Sequence, residues 1–87
     1  MKKIAVISAI LEDPEKSQKE FNDIVANYKS IIKGRLGIPF LEADIGIIAL
    51  TLVGTMDEIN SLTGKLGKIP NVLVKAAVSK KELLWVL

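Results

Sequence analysis

The chain has 87 residues, no cysteine and no histidine, and its formal net charge is +2. These counts exclude a disulfide framework and thiolate chemistry, and they remove the commonest general base and transition-metal ligand. Hydrophobic residues make up 49% of the chain, although a chain of this length buries only about 60% of its unfolded surface. We therefore expect one soluble domain, residues 1–87, that buries part of its apolar surface against other subunits.

The patterns of charged and apolar residues argue against two partners, nucleic acid and membrane. The lysines are scattered and form no basic tract, so we expect no direct nucleic-acid partner. The apolar run of residues 4–11 is far shorter than the ~20 residues that span a bilayer. It leads into the charged segment EDPEK without a small-residue cleavage site. We expect a cytoplasmic protein with no membrane partner.

The first third of the chain predicts a strand and then a helix. KKIAVISAIL, residues 2–11, is rich in β-branched residues and apolar on both alternating faces, which is typical of a strand covered on both sides. Asp13 can cap the helix that follows, and Pro14 suits its first position. The helix runs to about Asn27 or Tyr28. Its predicted buried stripe consists of Phe21, Ile24, Val25 and Tyr28.

The middle of the chain contains one ambiguous segment and one clear strand. Residues 29–36 fit either a continued helix or a strand. Residues 37–43 contain a proline and predict a loop. DIGIIALTLVG, residues 44–54, is the clearest strand in the sequence, and it is again apolar on both faces.

The last third predicts a helix, a strand and an apolar tail. Thr55 and Glu58 have the spacing of a capping box. Gly67 is predicted to end this helix in a left-handed conformation. Residues 71–80 predict the final strand, and we expect the tail, residues 82–87, to dock on its own or a neighbouring subunit. The predicted buried stripe of the helix consists of Ile59, Leu62, Leu66 and Ile69.

If residues 29–36 form a strand, the element order is βαββαβ, an α+β ferredoxin-like fold with antiparallel sheet order 4-1-3-2. That order makes strands one and three central, and these are the two strands that are apolar on both faces. Two helices cover only one face of such a sheet. We therefore predict a homodimer or homotetramer that buries the other face, with Ile48, Leu50 and Leu52 as its interface residues.

Two segments resemble a known family. IIKGRLGIPF and IGIIALTLVGTMDEINSLTGKLGKIPNVLVKAAVSK are similar to the family of iron-only hydrogenase system regulators. The resemblance implies an ACT-like fold, close to the regulatory domain of nickel-responsive repressors. It also implies a small-molecule effector at a subunit interface, near the turn between the first strand and the first helix. In nickel repressors His and Cys bind the metal, so the nickel site does not carry over to this chain, and we expect no metal or cofactor.

Arg35, Gly37 and Asp13 are the candidate ligand-binding residues. Arg35 lies between two glycines at a predicted loop mouth, where its guanidinium can meet a carboxylate or phosphate. Gly37 shapes that loop, and Asp13 lies in the turn where the resemblance places effectors. The alternative roles for Arg35 are an edge-strand charge that prevents aggregation and an intersubunit ion pair.

Other motifs in the sequence carry no chemistry. The segments GRLGIPF and GKLGKIP do not match a phosphate loop, because Leu66 follows Gly64-Lys65 and no glycine stands at the required offset before them. They do not match a dinucleotide fingerprint, because one ends a strand and the other ends a helix. The paired acids lie at helix starts or in a loop and supply no complete metal-ligand set. We therefore predict no catalytic residues and no metal ligands.

The sequence supports three functional hypotheses. The first is a non-enzymatic regulatory or small-ligand-sensing module, a homo-oligomer linked to an iron-only hydrogenase system. The second is a structural module that assembles with another protein. The third is a small dimeric α+β-barrel enzyme, for which Ser8, Thr51 and Lys75 would be the polar residues near the central strands.

Overall fold

A computed structural model describes residues 1–84 and confirms the predicted ferredoxin-like βαββαβ order. Its four-stranded sheet has the order β2-β3-β1-β4, with every neighbouring pair antiparallel. The two strands that are apolar on both faces are therefore central, as predicted. The elements are β1 (Lys3–Leu11), α1 (Pro14–Ala26), β2 (Ile32–Phe40), β3 (Ile45–Gly54), α2 (Met56–Gly67) and β4 (Val72–Val78).

Both helices pack on one face of the sheet, which we call the inner face; the opposite face is the open face. Alternate residues of β1 are buried beneath the helices, from Ala5 to Leu11. Phe21 of α1 and Leu62 of α2 are fully buried in the same cluster. Because side chains alternate along a strand, the residues between the buried ones point to the open face.

The structure corrects the predicted subunit interface. Ile48, Leu50 and Leu52 are only 6%, 0% and 0% exposed, and they belong to the cluster beneath the helices. They pair across the sheet with Ala9, Ile7 and Ala5, which are also on the inner face. These three residues are therefore part of the core of a single chain and are not free to contact a partner.

Strand β2 begins three residues later and ends four residues later than the predicted segment 29–36, so the predicted loop 37–43 is wrong in its first four residues. Gly37 pairs with Ile48 and Phe40 with Ile45, so that only residues 41–44 connect β2 to β3. Pro39 is tolerated because β2 lies at the edge of the sheet, where a missing N–H need not break a ladder. A register shift between Ile32 and Gly34 marks a bulge near the start of the strand.

The helix ends match the predictions only in part. The capping box is confirmed, because Glu58 N–H donates to Thr55 Oγ1 (3.2 Å) and Thr55 N–H donates to Glu58 Oε1 (2.8 Å). Gly67 is the last residue of α2 and has no positive φ; Asn71 has the left-handed conformation instead, with φ of 64°. Asp13 occupies the N-cap position of α1, but its side chain makes no capping hydrogen bond.

The described part of the tail docks on its own subunit. Leu83 N–H donates to the carbonyl of Lys2 (2.8 Å), which forms an isolated antiparallel bridge. Leu84 is 85% exposed, and residues 85–87 lie outside the described residues. Within residues 1–84, no helix is long and apolar enough to cross a membrane.

The capping box makes a pH-dependent contribution to stability. The hydrogen bond from the Thr55 backbone lowers the pKa of Glu58 below its usual value. A lowered folded-state pKa stabilises the fold above the unfolded pKa, and this stabilisation is lost as the pH falls through the folded pKa. In Glu58→Gln the uncharged amide oxygen can still accept the bond. At neutral pH we expect the wild type to have a larger free energy of unfolding in urea than Glu58→Gln. This difference should shrink as the pH falls and Glu58 becomes protonated. A difference that is constant with pH would contradict this account.

The corrected position of Leu50 gives a second prediction. A carboxylate at this fully buried position loses its hydration without gaining a partner. Leu50→Asp should therefore destabilise the chain by about 4 kcal/mol or more, enough to unfold much of a small domain.

The neighbouring substitution Thr51→Asp is the matched control, because Thr51 is exposed on the open face. Circular dichroism should show an unfolded Leu50→Asp chain and a folded Thr51→Asp chain. A folded Leu50→Asp chain with only a reduced oligomer mass would contradict the assignment of Leu50 to the core.

Candidate functional site

A groove of about 430 Å³ lies beside the start of α1, at the end of the sheet where β2 turns into β3. Pro14, Glu15 and Gln18 of α1 form one wall, and the β2–β3 hairpin forms the other. The groove exists because the helices leave the β2 edge uncovered: β2 is exposed along nearly its whole length. Its volume lies in the range of small-molecule sites, about 300–1,000 Å³.

Arg35 and Gly37, two of the three candidate ligand residues, line this groove. Arg35 pairs with Leu50, so its side chain leaves β2 on the inner face, toward α1. Its Nη2 atom donates to Asn22 Oδ1 on α1 (2.7 Å). Because Asn22 is neutral, this bond orients the guanidinium without compensating its charge. Arg35 thus keeps donors for a further acceptor.

Gly37 leaves space at the groove rather than shaping a turn. A Cβ atom built on Gly37 would meet no atom within 4 Å, and its φ is not positive. The residue lies in the middle of β2, two positions from Arg35 and on the same face. A larger side chain at Gly37 would therefore occupy space in the groove without clashing with the fold.

Asp13 does not line the groove with Arg35 and Gly37. Its backbone carbonyl accepts from the buried Ser17 hydroxyl (2.9 Å), which secures the first turn of α1. Its carboxylate lies 3.9 Å from Lys16 Nζ on the same turn. The structure therefore places Asp13 at the helix start, next to the groove wall but turned toward its own helix.

The groove contains charges of both signs. Glu15 and Asp44 line it together with Arg35, and Gln18 adds an amide. The remaining lining is apolar, from Leu11 and the strands. Such a surface suits a small ligand with an apolar body and separate polar groups, which carboxylates and a guanidinium can fix in one orientation.

The open face of the sheet is the second notable surface. Leu36, Phe40 and Leu73 on this face are 60%, 50% and 55% exposed. Ser8, Thr51 and Lys75, the polar residues considered for a barrel enzyme, also lie on it. Lys75 is the one charged side chain among the cross-strand pairs that the described residues form on this face.

A third cluster joins the two helices and was not found from the sequence. The Tyr28 hydroxyl lies 2.7 Å from Ser61 Oγ, and Lys65 Nζ lies 5.2 Å from the centre of the Tyr28 ring. The Lys65 ammonium, together with the Ser61 hydroxyl, lowers the pKa of Tyr28. The signal was present in the i, i+4 spacing of Ser61 and Lys65 on α2, but only the fold brings Tyr28 to them. The cluster is exposed and ties the end of α1 to α2.

Comparison with known proteins assigns the chain to a family. Residues 3–76 match the TM1266-like family, described as "Iron-only hydrogenase system regulator, putative". The chain belongs to the TM1266-like family. The matched range contains Arg35, Gly37 and all six elements except the last two residues of β4. The family description names a regulator of the iron-only hydrogenase system.

One solved structure agrees with the TM1266-like assignment, and a second shares the fold. The structure of uncharacterized protein TM1266 from Thermotoga maritima is 35% identical and has a TM-score of 0.88, covering 92% of this chain and 100% of that chain. The solution structure of the C-terminal domain of the MgtC protein from Mycobacterium tuberculosis is 14% identical. It has a TM-score of 0.68 and covers 95% of this chain and 94% of that chain, a likeness that concerns the fold alone. A search of curated proteins finds no match.

Proposed function

We propose that the chain is a non-enzymatic regulatory module of an iron-only hydrogenase system, which works as a homo-oligomer and binds a small effector in the groove. The observation that carries the proposal is the Arg35 guanidinium, held at the groove by a neutral partner, Asn22. The family description supplies the regulatory role and the link to the hydrogenase system. The effector and the homo-oligomer are our own additions to it.

Strand β2 offers a physical route from the effector to the oligomer. Arg35 and Gly37 lie on its inner face and line the groove, whereas Leu36 lies on its open face and does not line the groove. An effector that fixes β2 against α1 would reduce the freedom of the exposed apolar side chains on the reverse side of the strand. A surface that is already ordered loses less entropy when it associates. Effector binding should therefore strengthen self-association.

A structural assembly module is the second candidate function. The apolar open face favours it, because an exposed apolar patch marks a contact with another protein as readily as with a second copy. In that case a different protein would occupy the open face, and the groove would remain empty.

Native mass spectrometry of the tagged protein from cell extract tests the proposal. The proposed function predicts a homo-oligomer that carries an added small-molecule mass. Arg35→Gln should lose this added mass, because the guanidinium no longer holds the ligand. Lys33→Gln is the matched control: it removes a charge on the same strand, is exposed and does not line the groove. This control should keep the ligand.

A second variant separates loss of the ligand from loss of the fold. Gly37→Leu fills the groove at a position with no atom close enough to clash, so it should fold normally and also lose the ligand. A stable complex with a different protein in place of the homo-oligomer would support the assembly module. A wild-type homo-oligomer without any added mass, or Arg35→Gln and Gly37→Leu variants that both keep the ligand, would overturn the proposed effector site.

A further inference from the structure

The open face has an uneven distribution of side-chain size along its strands. Its side chains form rows that cross the sheet in the order β4, β1, β3, β2. The bulky row consists of Leu73, Ile10, Ile47 and Ile38. The middle row consists of Lys75, Ser8, Ala49 and Leu36. The smaller row consists of Ala77, Val6, Thr51 and Gly34. Across these three rows the open face therefore falls in height from the bulky row to the smaller row; beyond the smaller row lies the pair Ile4 and Val53, and Val53 is only 4% exposed.

The size of the open face suits a second copy of the chain. Four strands about 4.8 Å apart, with residues rising about 3.3 Å each along a ten-residue β3, give a flat footprint of about 600 Å². Side chains make the accessible area larger than this footprint, which brings it near the ~800 Å² per partner of a standard interface.

The charge of the open face also permits a second copy. The net charge of the chain is only +2, so long-range repulsion between two copies is weak. Lys75, the charged side chain of the middle row, lies on the edge strand β4. From this edge its ammonium can reach water while its alkyl stem covers apolar surface.

We propose that two copies pack open face to open face about a two-fold axis that runs across the strands, so that the bulky row of each copy contacts the smaller row of the other. This inference rests on the proposed homo-oligomer and specifies its interface. In this arrangement the middle row lies along the axis, so Ala49, Leu36 and Lys75 each face the same residue of the second copy. The two Lys75 ammonium groups lie at the β4 edge, where both can turn outward to water. Ile47 faces Thr51, and Ile38 faces Gly34. The small side chains Ser8 and Ala49 at the centre let the sheets approach to the ~10 Å of stacked sheets.

The other simple arrangement fits less well. A two-fold axis parallel to the strands would exchange β2 with β4 and β3 with β1. The bulky rows would then meet, with Ile47 against Ile10, and the smaller rows would meet, with Thr51 against Val6. The bulky rows would hold the sheets apart and leave a gap between the two smaller rows. Tight packing of apolar surfaces disfavours such a gap.

The absence of cysteine from the chain makes disulfide trapping a direct test. Ile47→Cys and Thr51→Cys are prepared separately, mixed under reducing conditions to exchange subunits, and then oxidised. We expect a mixed disulfide between the two variants, identified by intact mass, and little disulfide from either variant alone. Glu20→Cys, on the exposed side of α1, is the control and should form none with either variant.

Three further outcomes decide the inference. A mixed disulfide between Thr51→Cys and Val6→Cys, with none between Ile47→Cys and Thr51→Cys, would overturn the axis across the strands. A wild-type dimer that gives no disulfide in any of these mixtures would overturn the open-face interface but leave the homo-oligomer standing. A wild type that sediments as a monomer at about 100 µM would overturn both, because no second copy then binds.

A variant without cysteine checks the result independently. Ala49→Asp places a carboxylate at the proposed axis, where it faces the same carboxylate of the second copy. The dimer dissociation constant, measured by sedimentation velocity, should rise about 100-fold or more. Ala26→Asp, at an exposed position at the end of α1, is the matched control and should dimerise like the wild type. Both variants should keep the wild-type circular dichroism. Equal dimerisation of the two folded variants would overturn the proposal.

Discussion

Two helices can cover only one face of the four-stranded sheet, and the other features of the molecule depend on which side chains lie on the covered face. Leu50, Leu52 and Phe21 are fully buried there. The same constraint leaves Leu36 and Leu73 exposed on the open face and leaves the β2 edge without a helix above it. The uncovered edge creates the groove, and the open face creates the surface that we propose for a second copy. Both candidate surfaces therefore exist because the two helices cover only part of the sheet.

Neighbouring residues of β2 connect the groove with the open face. Arg35 leaves β2 toward α1, where Asn22 orients its guanidinium, and Leu36 leaves it toward the open face. A regulator needs a binding site whose occupancy changes a contact elsewhere in the molecule. A strand with one side chain in the site and the next in the contact surface links them over the shortest distance. The link that we propose through β2 requires neither catalysis nor a metal.

The sequence predicted most of the fold because its periodic patterns are strong. Phe21 and Val25 on α1, and the capping box of Thr55 and Glu58 on α2, are local signals that tertiary structure did not override. The sequence did not predict which face of β3 the helices cover, because Ile47 and Ile48 are equally apolar. It also missed the strand at Gly37, because pairing with β3 outweighs the local preference of glycine and proline for loops.

The candidate site was predicted only in part, because local sequence patterns do not show which elements meet in the fold. Arg35 and Gly37 were named because an arginine between glycines is a local feature, and both line the groove. Asn22 was missed because nothing along the chain connects it to Arg35, thirteen positions away. Asp13 was named from the family resemblance, and its carboxylate lies beside Lys16 instead of in the groove. Contacts between elements depend on tertiary structure, and they decide which polar residues meet.

The most direct test of the account is an isotope-filtered nuclear Overhauser experiment on a mixture of labelled and unlabelled chains, which records only contacts between copies. The account predicts intermolecular contacts between the Ile47 and Thr51 methyl groups and between the Ala49 methyl groups of the two copies. Intermolecular contacts confined to the helices, or none at all at a concentration where the chain sediments as a dimer, would contradict it.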